Sequence, residues 1–217
     1  MFLSRVSLDL TRMPSGMWQK WQSAHSYASH QWLWQLFADQ SERKFLFRHE
    51  STPQGAHFYL LSEVAPVAED SLFSISSKPF MPQLVDGMTL TFALRANPVV
   101  TRNGKRSDVL MDAKYQAKLQ GTDPSEFAAR QNEAAFAWLK AQGERGGFAV
   151  EPQDVQVVGQ QRQRFTRKSG ERPITFTTVD FAGCLKVTDA PLFMQTLRNG
   201  LGKSKAMGCG LMLIRRG

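Results

Sequence analysis

The sequence predicts an α+β protein with a ferredoxin-like order of elements, and three observations carry that prediction. Its second half reads strand, helix, strand, strand, helix, strand. Its first half begins the same series and then degrades, with no residue-level repeat between the two. The composition, 42% hydrophobic and 21% charged over 217 residues, suits a folded chain able to bury one large core or two small ones.

Phe2 to Leu10 alternates apolar and polar residues like a half-buried strand, with Phe2, Val6, Leu8 and Leu10 largely on one side. Thr11 to Gln22, with Pro14 and Gly16, is expected as a loop whose Trp18 and Trp21 pack back onto the protein, and Ser23 as the start of a helix reaching about Phe37. At about 100° per residue with His30 at 0°, Tyr27 falls at roughly +60°, Trp34 at roughly +40°, Phe37 at roughly −20°, Leu33 at roughly −60° and Leu36 at roughly −120°. His30 is thereby expected in the middle of the apolar face, one turn from Tyr27. A histidine so placed either packs in the core or, where the face meets a cleft, performs acid–base chemistry beside the tyrosine.

Lys44 to Glu50 and Ala56 to Val64 read as a hairpin across Ser51–Gly55, with His49 and His57 in cross-strand packing. A short helix is expected over Glu69–Phe73, then a connection punctuated by Pro79 and Pro82 and ending at Gly87. Thr89 to Val100 is β-rich and carries Leu94-Arg95-Ala96-Asn97-Pro98; Pro98 calls for a bulge or an edge there. Thr101 to Gly121, with Arg102, Lys105, Arg106, Lys114 and Lys118, is expected as a mobile basic loop with one helical turn. Asp123, Pro124 and Glu126 form a capping-box signature for a helix ending at Gly143.

Strands follow at Phe148–Val158 and Ile174–Val187. Between them, Arg162, Arg164, Arg167 and Lys168 put cations on a β-ribbon that turns at Ser169-Gly170. Arginine forks match phosphates and base edges, so the ribbon suits nucleic acid; the alternative is a solvated basic hairpin. Asp189 and Pro191 open a helix over Leu192–Arg198, and Leu211–Ile214 closes the chain as a strand. In between stands Gly200-Leu201-Gly202-Lys203-Ser204-Lys205-Ala206-Met207-Gly208-Cys209-Gly210. Glycines and lysines so interleaved suit a phosphate, or equally a strained connection that needs positive φ. The loop lacks the Walker spacing and does not open a helix after a strand as a dinucleotide fingerprint does.

The net charge of +8 and the sequence pI of about 9.8 point to a polyanionic partner. No apolar run approaches the roughly 20 residues of a membrane span, and the N-terminus lacks a secretory core, so a cytoplasmic protein without membrane contact is expected. Cys184 and Cys209 read as buried free thiols. Four histidines without ligand spacing argue against a metal site, and no cofactor is expected.

Three stretches together resemble the CasE family of CRISPR repeat-processing endoribonucleases of type I-E Cascade systems: Tyr27-Ala28-Ser29-His30, Leu94–Pro98 and Gly200–Leu211. The resemblance spans essentially the whole chain. It implies two tandem ferredoxin-like (RRM-like) domains, residues 1–86 with the catalytic helix and 87–217 with the basic hairpin and glycine loop. It implies metal-independent cleavage at the 3′ base of a repeat stem-loop, leaving a 2′,3′-cyclic phosphate and a 5′-hydroxyl, by a protein that is a monomer outside its complex with other Cascade subunits. His30 and Tyr27 match the family's catalytic pair, and Arg162, Arg164, Arg167 and Lys168 its basic hairpin. Arg95, Lys105, Arg106, Gly200, Gly202, Lys203, Ser204 and Lys205 join the expected RNA contacts. Lys203 departs from the proline the family pattern calls for, adding charge and leaving the backbone less fixed. Two rival readings remain: a non-catalytic module of paired RRM-like domains, for which no RNP-type aromatic run is present, and an enzyme that binds a nucleotide at the glycine loop.

Overall fold

The computed structural model describes residues 1–37, 42–52, 55–68, 72–102, 104–166 and 171–217, without the side chains of residues 20, 22–26, 51, 52, 55 and 56. The chain forms two compact units. One comprises Met1–Gln83, Arg164–Thr175 and Ser204–Leu211, the other Leu84–Gln163, Phe176–Lys203 and Met212–Gly217.

In the first unit, β1 (Phe2–Leu8), α1 (Ser15–Gln35), β2 (Phe45–Thr52), β3 (Gly55–Ser62) and β4 (Phe73–Pro79) make an antiparallel sheet ordered β2-β3-β1-β4 with α1 packed on it. Val6 faces Phe58 on one side and Ile75 on the other. Val6, Leu8, Phe47, Phe58 and Leu60 from the sheet bury against Ala28, Trp32, Leu33 and Leu36 of α1. Each fully buried Leu or Phe of this kind contributes about 1.5–3 kcal/mol. The inward row of β1 is Ser4, Val6 and Leu8, and the Ser4 hydroxyl meets that of Ser77 at 2.7 Å. Leu10 belongs to a 3₁₀ turn, Leu10–Arg12, rather than to the strand.

Helix α1 begins at Ser15, not Ser23, because it starts directly after Pro14 with no side-chain cap to announce it. Trp21, expected to pack back from a loop, does so from the helix: it stacks on Trp32 at 5.0 Å and stands edge-on to Phe58 at 5.9 Å. The expected Pro-rich connection is in part the edge strand β4, whose mostly exposed Ser-rich sequence carries little alternation. Of the expected helix 69–73, residues 69–71 lie outside the described residues and Phe73 opens β4. His49 and His57 pack across strands as expected: His49 lies 5.1 Å from the Phe58 ring, and His57 bonds the Ser7 hydroxyl at 2.8 Å.

The second unit runs β5 (Thr89–Ala96), β6 (Val99–Arg102), β7 (Lys105–Asp108), α2 (Val109–Leu119), α3 (Phe127–Gly146), β8 (Phe148–Ala149), β9 (Val155–Phe165), β10 (Ile174–Val187), α4 (Ala190–Asn199) and β11 (Met212–Arg216). Its main sheet is ordered β11-β5-β10-β8, with β9 also paired to β10. With β8 and β9 counted as one interrupted strand, both sheets place the last strand beside the first, then the third, then the second. That is the ferredoxin-like order, in tandem, as expected. Pro98 ends β5, and β6 pairs with β7 as a separate hairpin.

The expected mobile loop 101–121 is thus a hairpin followed by the 11-residue α2, capped by Asp108, which accepts from the amides of Leu110 and Met111. Exposed Met111, Tyr115 and Leu119 on its outer face blur the periodicity that would have revealed it. Gly143 does not end α3; the helix runs to Gly146 and stops at left-handed Gly147, while Gly143 lets the Phe148 carbonyl occupy the space a Cβ would need. The expected strand Phe148–Val158 is broken by a 3₁₀ turn at Pro152–Asp154. Neither cysteine is in a disulfide; Cys209 is buried as expected, whereas Cys184 is partly exposed. Among the described residues no helix is long and apolar enough to cross a membrane.

Candidate active-site cleft

Helix α1 and its C-cap bury Ala28, Ser29, Trp32, Leu33 and Leu36. At about 100° per residue these centre roughly 130° away from His30. His30 therefore stands at the margin of the buried face and is half-buried, which corrects its expected place in the middle. Tyr27 and Trp34, apolar enough to count as core in the sequence, border an open cleft instead. That cleft, of about 800 Å³, is lined by Met17, Tyr27, His30, Gln31, Trp32, Trp34, Gln35, Ala206 and Met207.

Aromatic contacts fix the two side chains. The His30 ring stands edge-on to Trp34 at 5.7 Å and lies 6.4 Å from Phe45. Tyr27 stacks on Phe165 at 5.8 Å with 13° between the rings, and its hydroxyl oxygen accepts from Gln31 Nε2 at 3.3 Å. One turn of helix thus presents an imidazole and a phenol, two groups able to take part in proton transfer, to the same opening.

The glycine loop supplies the facing wall. Within the second unit Gly202, at φ +74°, passes Trp138 so closely that a Cβ would stand 3.1 Å from the indole. Ser204 then takes φ 55°, the only positive value at a non-glycine among the described residues, at a cost of about 1–3 kcal/mol. Within the first unit the 3₁₀ turn Lys205–Met207 follows, and its Ala206 and Met207 reach the cleft. The loop is a strained connection, one of the two readings the sequence allowed, and its Ala206 and Met207 also wall the opening that holds His30.

Other cations are spread more widely. Arg162 and Arg164 are exposed at alternate positions of β9, hence on one side of it; Arg167 and Lys168 lie outside the described residues. Lys105 and Arg106 are exposed on β7, and Lys203 is exposed in the loop. Arg95 is held by Asp180, its Nε and Nη2 donating to the two carboxylate oxygens at 2.8 and 2.9 Å. That pair offsets the charge Arg95 was expected to offer to RNA.

Sequence reasoning missed Gln31, Trp34, Met207 and Phe165. Gln31 and Trp34 stand four residues after Tyr27 and His30, so helical spacing could have found them. Nothing local flags Phe165, which reaches Tyr27 only through the fold.

A family model described as CRISPR associated protein matches residues 1–216. The chain is 36% identical over 196 residues to the CRISPR system Cascade subunit CasE of Escherichia coli K12, covering 87% of this chain and 90% of that one. It is 34% identical over 139 residues to the CRISPR-associated endoribonuclease Cse3 of Thermus thermophilus, covering 63% and 60%. Among solved structures, CRISPR endoribonuclease Cse3 bound to a 19-nucleotide RNA matches with a TM-score of 0.76 at 25% identity over 99% of this chain and 100% of that one. Cas6e of Escherichia coli K-12 matches with a TM-score of 0.61 at 26% identity over the whole of both chains.

Proposed function

The chain belongs to the CRISPR-associated protein family that includes CasE and Cse3, and from that premise we propose that it is the endoribonuclease that trims precursor CRISPR RNA for a type I-E Cascade. It binds the repeat stem-loop and cuts at its 3′ base without a metal ion, by attack of the 2′-hydroxyl. The observation that carries this reading is the Tyr27/His30 pair on one turn of α1, opening into a cleft walled by Ala206 and Met207.

The chemistry divides as follows. The 2′-oxygen loses its proton and attacks phosphorus, the bond from phosphorus to the 5′-oxygen breaks, and that oxygen takes up a proton. An imidazole, with an ordinary pKa of about 6.5, serves either transfer at neutral pH, whereas a phenol at about 10 does not act as a base unaided. His30 protonates the leaving oxygen, and Tyr27 orients the 2′-hydroxyl, whose proton passes to water in the open cleft. Lys205 and the loop amides stabilise charge on the phosphorane, a role worth roughly 3 kcal/mol per well-aimed donor. Arg162, Arg164, Arg167, Lys168, Lys105 and Arg106 hold the stem by its phosphates, with Gly200, Gly202, Lys203 and Ser204 at the cut end; Arg95 joins them only by exchanging Asp180 for a phosphate. Residues 1–86 then act as the catalytic domain and 87–217 as the RNA-gripping one. The protein works in the cytoplasm, a monomer until it joins the other Cascade subunits.

The test is incubation with a repeat hairpin in EDTA, followed by analysis of the ends. A 2′,3′-cyclic phosphate and a 5′-hydroxyl are expected, and a 2′-deoxyribose at the cut site should leave the RNA bound but whole. RNA shifted in a gel yet uncut in its all-ribose form would make the protein a binding module instead.

A further inference from the structure

We propose that Phe165 is a positioning residue for Tyr27, so that the strand bearing Arg162 and Arg164 also sets the geometry of the cleft. The inference rests on the reading of Tyr27 given above and adds to it a residue and a route by which RNA binding reaches the chemistry.

Tyr27 sits half-buried at the edge of the opening, where a phenol has room to change rotamer. Two contacts remove that freedom. Phe165 is 5% exposed, a fixed wall rather than a mobile side chain, and its ring lies nearly parallel to the phenol with centroids 5.8 Å apart. Offset parallel rings at this separation attract beyond their burial, so the stack selects one orientation of Tyr27. Gln31 then donates its amide to the phenol oxygen at 3.3 Å. With one lone pair so occupied, the O–H is directed elsewhere and remains available to a ribose hydroxyl.

Phe165 is the last residue of β9 and directly follows Arg164. Phosphates drawn to Arg162 and Arg164 therefore act on the same backbone that carries the ring against Tyr27. Orientation of a reacting group is where small displacements cost large factors in rate, whereas affinity rests on the cations and is indifferent to the ring.

The experiment separates rate from affinity in single-turnover cleavage of a repeat hairpin at saturating protein, with hairpin Kd measured alongside. Phe165→Leu should slow cleavage about tenfold with Kd changed less than about twofold, and Phe165→Tyr should restore the rate. On a Tyr27→Phe background, Phe165→Leu should slow cleavage no further, since a positioning residue has nothing left to position. Gln31→Leu, at an exposed position, should show the same dependence on Tyr27 and supplies the answer if Phe165→Leu fails to fold. Losses that multiply with those of Tyr27→Phe, or a fall in rate matched by a fall in affinity, would overturn the proposal. Tyr27→Phe cutting at the wild-type rate while His30→Ala is inactive would overturn it and leave the proposed function standing; wild-type protein that never cuts would remove both.

Discussion

The two ferredoxin-like units are built by different means, and their helices show it. Helix α3 follows a 3₁₀ turn capped by Asp123 and ends at a left-handed Gly147, while α4 opens on Asp189 with Pro191 in its first turn. Helix α1 has none of this: it starts after Pro14 without a side-chain cap and carries no base in its last turn, where α3 has Arg145 and α4 has Arg198. Its 21 residues are held by packing, with Trp32, Leu33 and Leu36 buried against the sheet and Trp21 stacked on Trp32. A helix fixed along its side rather than at its ends can present an unusual surface along the opposite edge. In α1 that edge carries Tyr27, His30 and Trp34. The unit that breaks local rules is the one with the candidate chemistry, as expected where function competes with local consistency.

Substitutions in the two units should therefore fail in different ways. The largest effect is expected for His30→Ala, which should slow cleavage about 10³-fold, as loss of a general acid does, while hairpin affinity in a gel shift stays near wild type. Cutting within tenfold of wild type would remove His30 from the chemistry. Next comes a scaffold residue of the other unit. At Gly147 a Cβ would lie 2.5 Å from the Asp189 carbonyl oxygen and 2.7 Å from the Phe193 nitrogen, at φ +77°. Gly147→Ala should therefore cost about 3 kcal/mol in urea unfolding, from strain and clash together, and protein that does fold should cut at the normal rate.

The same contrast explains what can be read in advance. In the second unit the 3₁₀ turn that leads into α3 and the start of α4 are announced by Asp123-Pro124 and Asp189-Ala190-Pro191, residues whose chemistry acts on their nearest neighbours. The start of α1 is hidden because Pro14-Ser15-Gly16 resembles a turn and what holds the helix, Trp21 on Trp32, is tertiary. Helix α2 is hidden for the opposite reason, a good cap at Asp108 masked by an apolar outer face. Of the cleft, Tyr27 and His30 are visible because they stand three apart on one helix; Phe165 is not, since most of the chain separates it from its partner. Arg95 looks like a free cation because Asp180 lies in another strand.

A smaller test compares helix ends directly. Asp189 accepts from the Leu192 amide at 2.9 Å, so Asp189→Ala should cost about 1 kcal/mol, whereas Ser15→Ala, at the start of a helix with no side-chain cap, should cost nothing measurable. An equal loss at both would erase the difference between the units.

The smallest effect concerns a device the units share. Asp9 precedes a 3₁₀ turn in the first and accepts from the Thr11 hydroxyl at 2.6 Å and the Thr11 amide at 3.0 Å. Asp123 does the same in the second, with the Ser125 hydroxyl at 2.6 Å and the Ser125 amide at 2.8 Å. In each case the neighbouring hydroxyl first, then the amide, holds the carboxyl below the ordinary aspartate value of 3.8. A folded pKa below the unfolded one means stability present above the unfolded value and lost as pH falls through the folded one. Carbon-detected NMR titration should find both carboxyls depressed, and Thr11→Ala and Ser125→Ala should each move only their own aspartate back up. A carboxyl that stays depressed without its hydroxyl would place the cause in the turn's backbone, and the two units would then differ even in the cap they have in common.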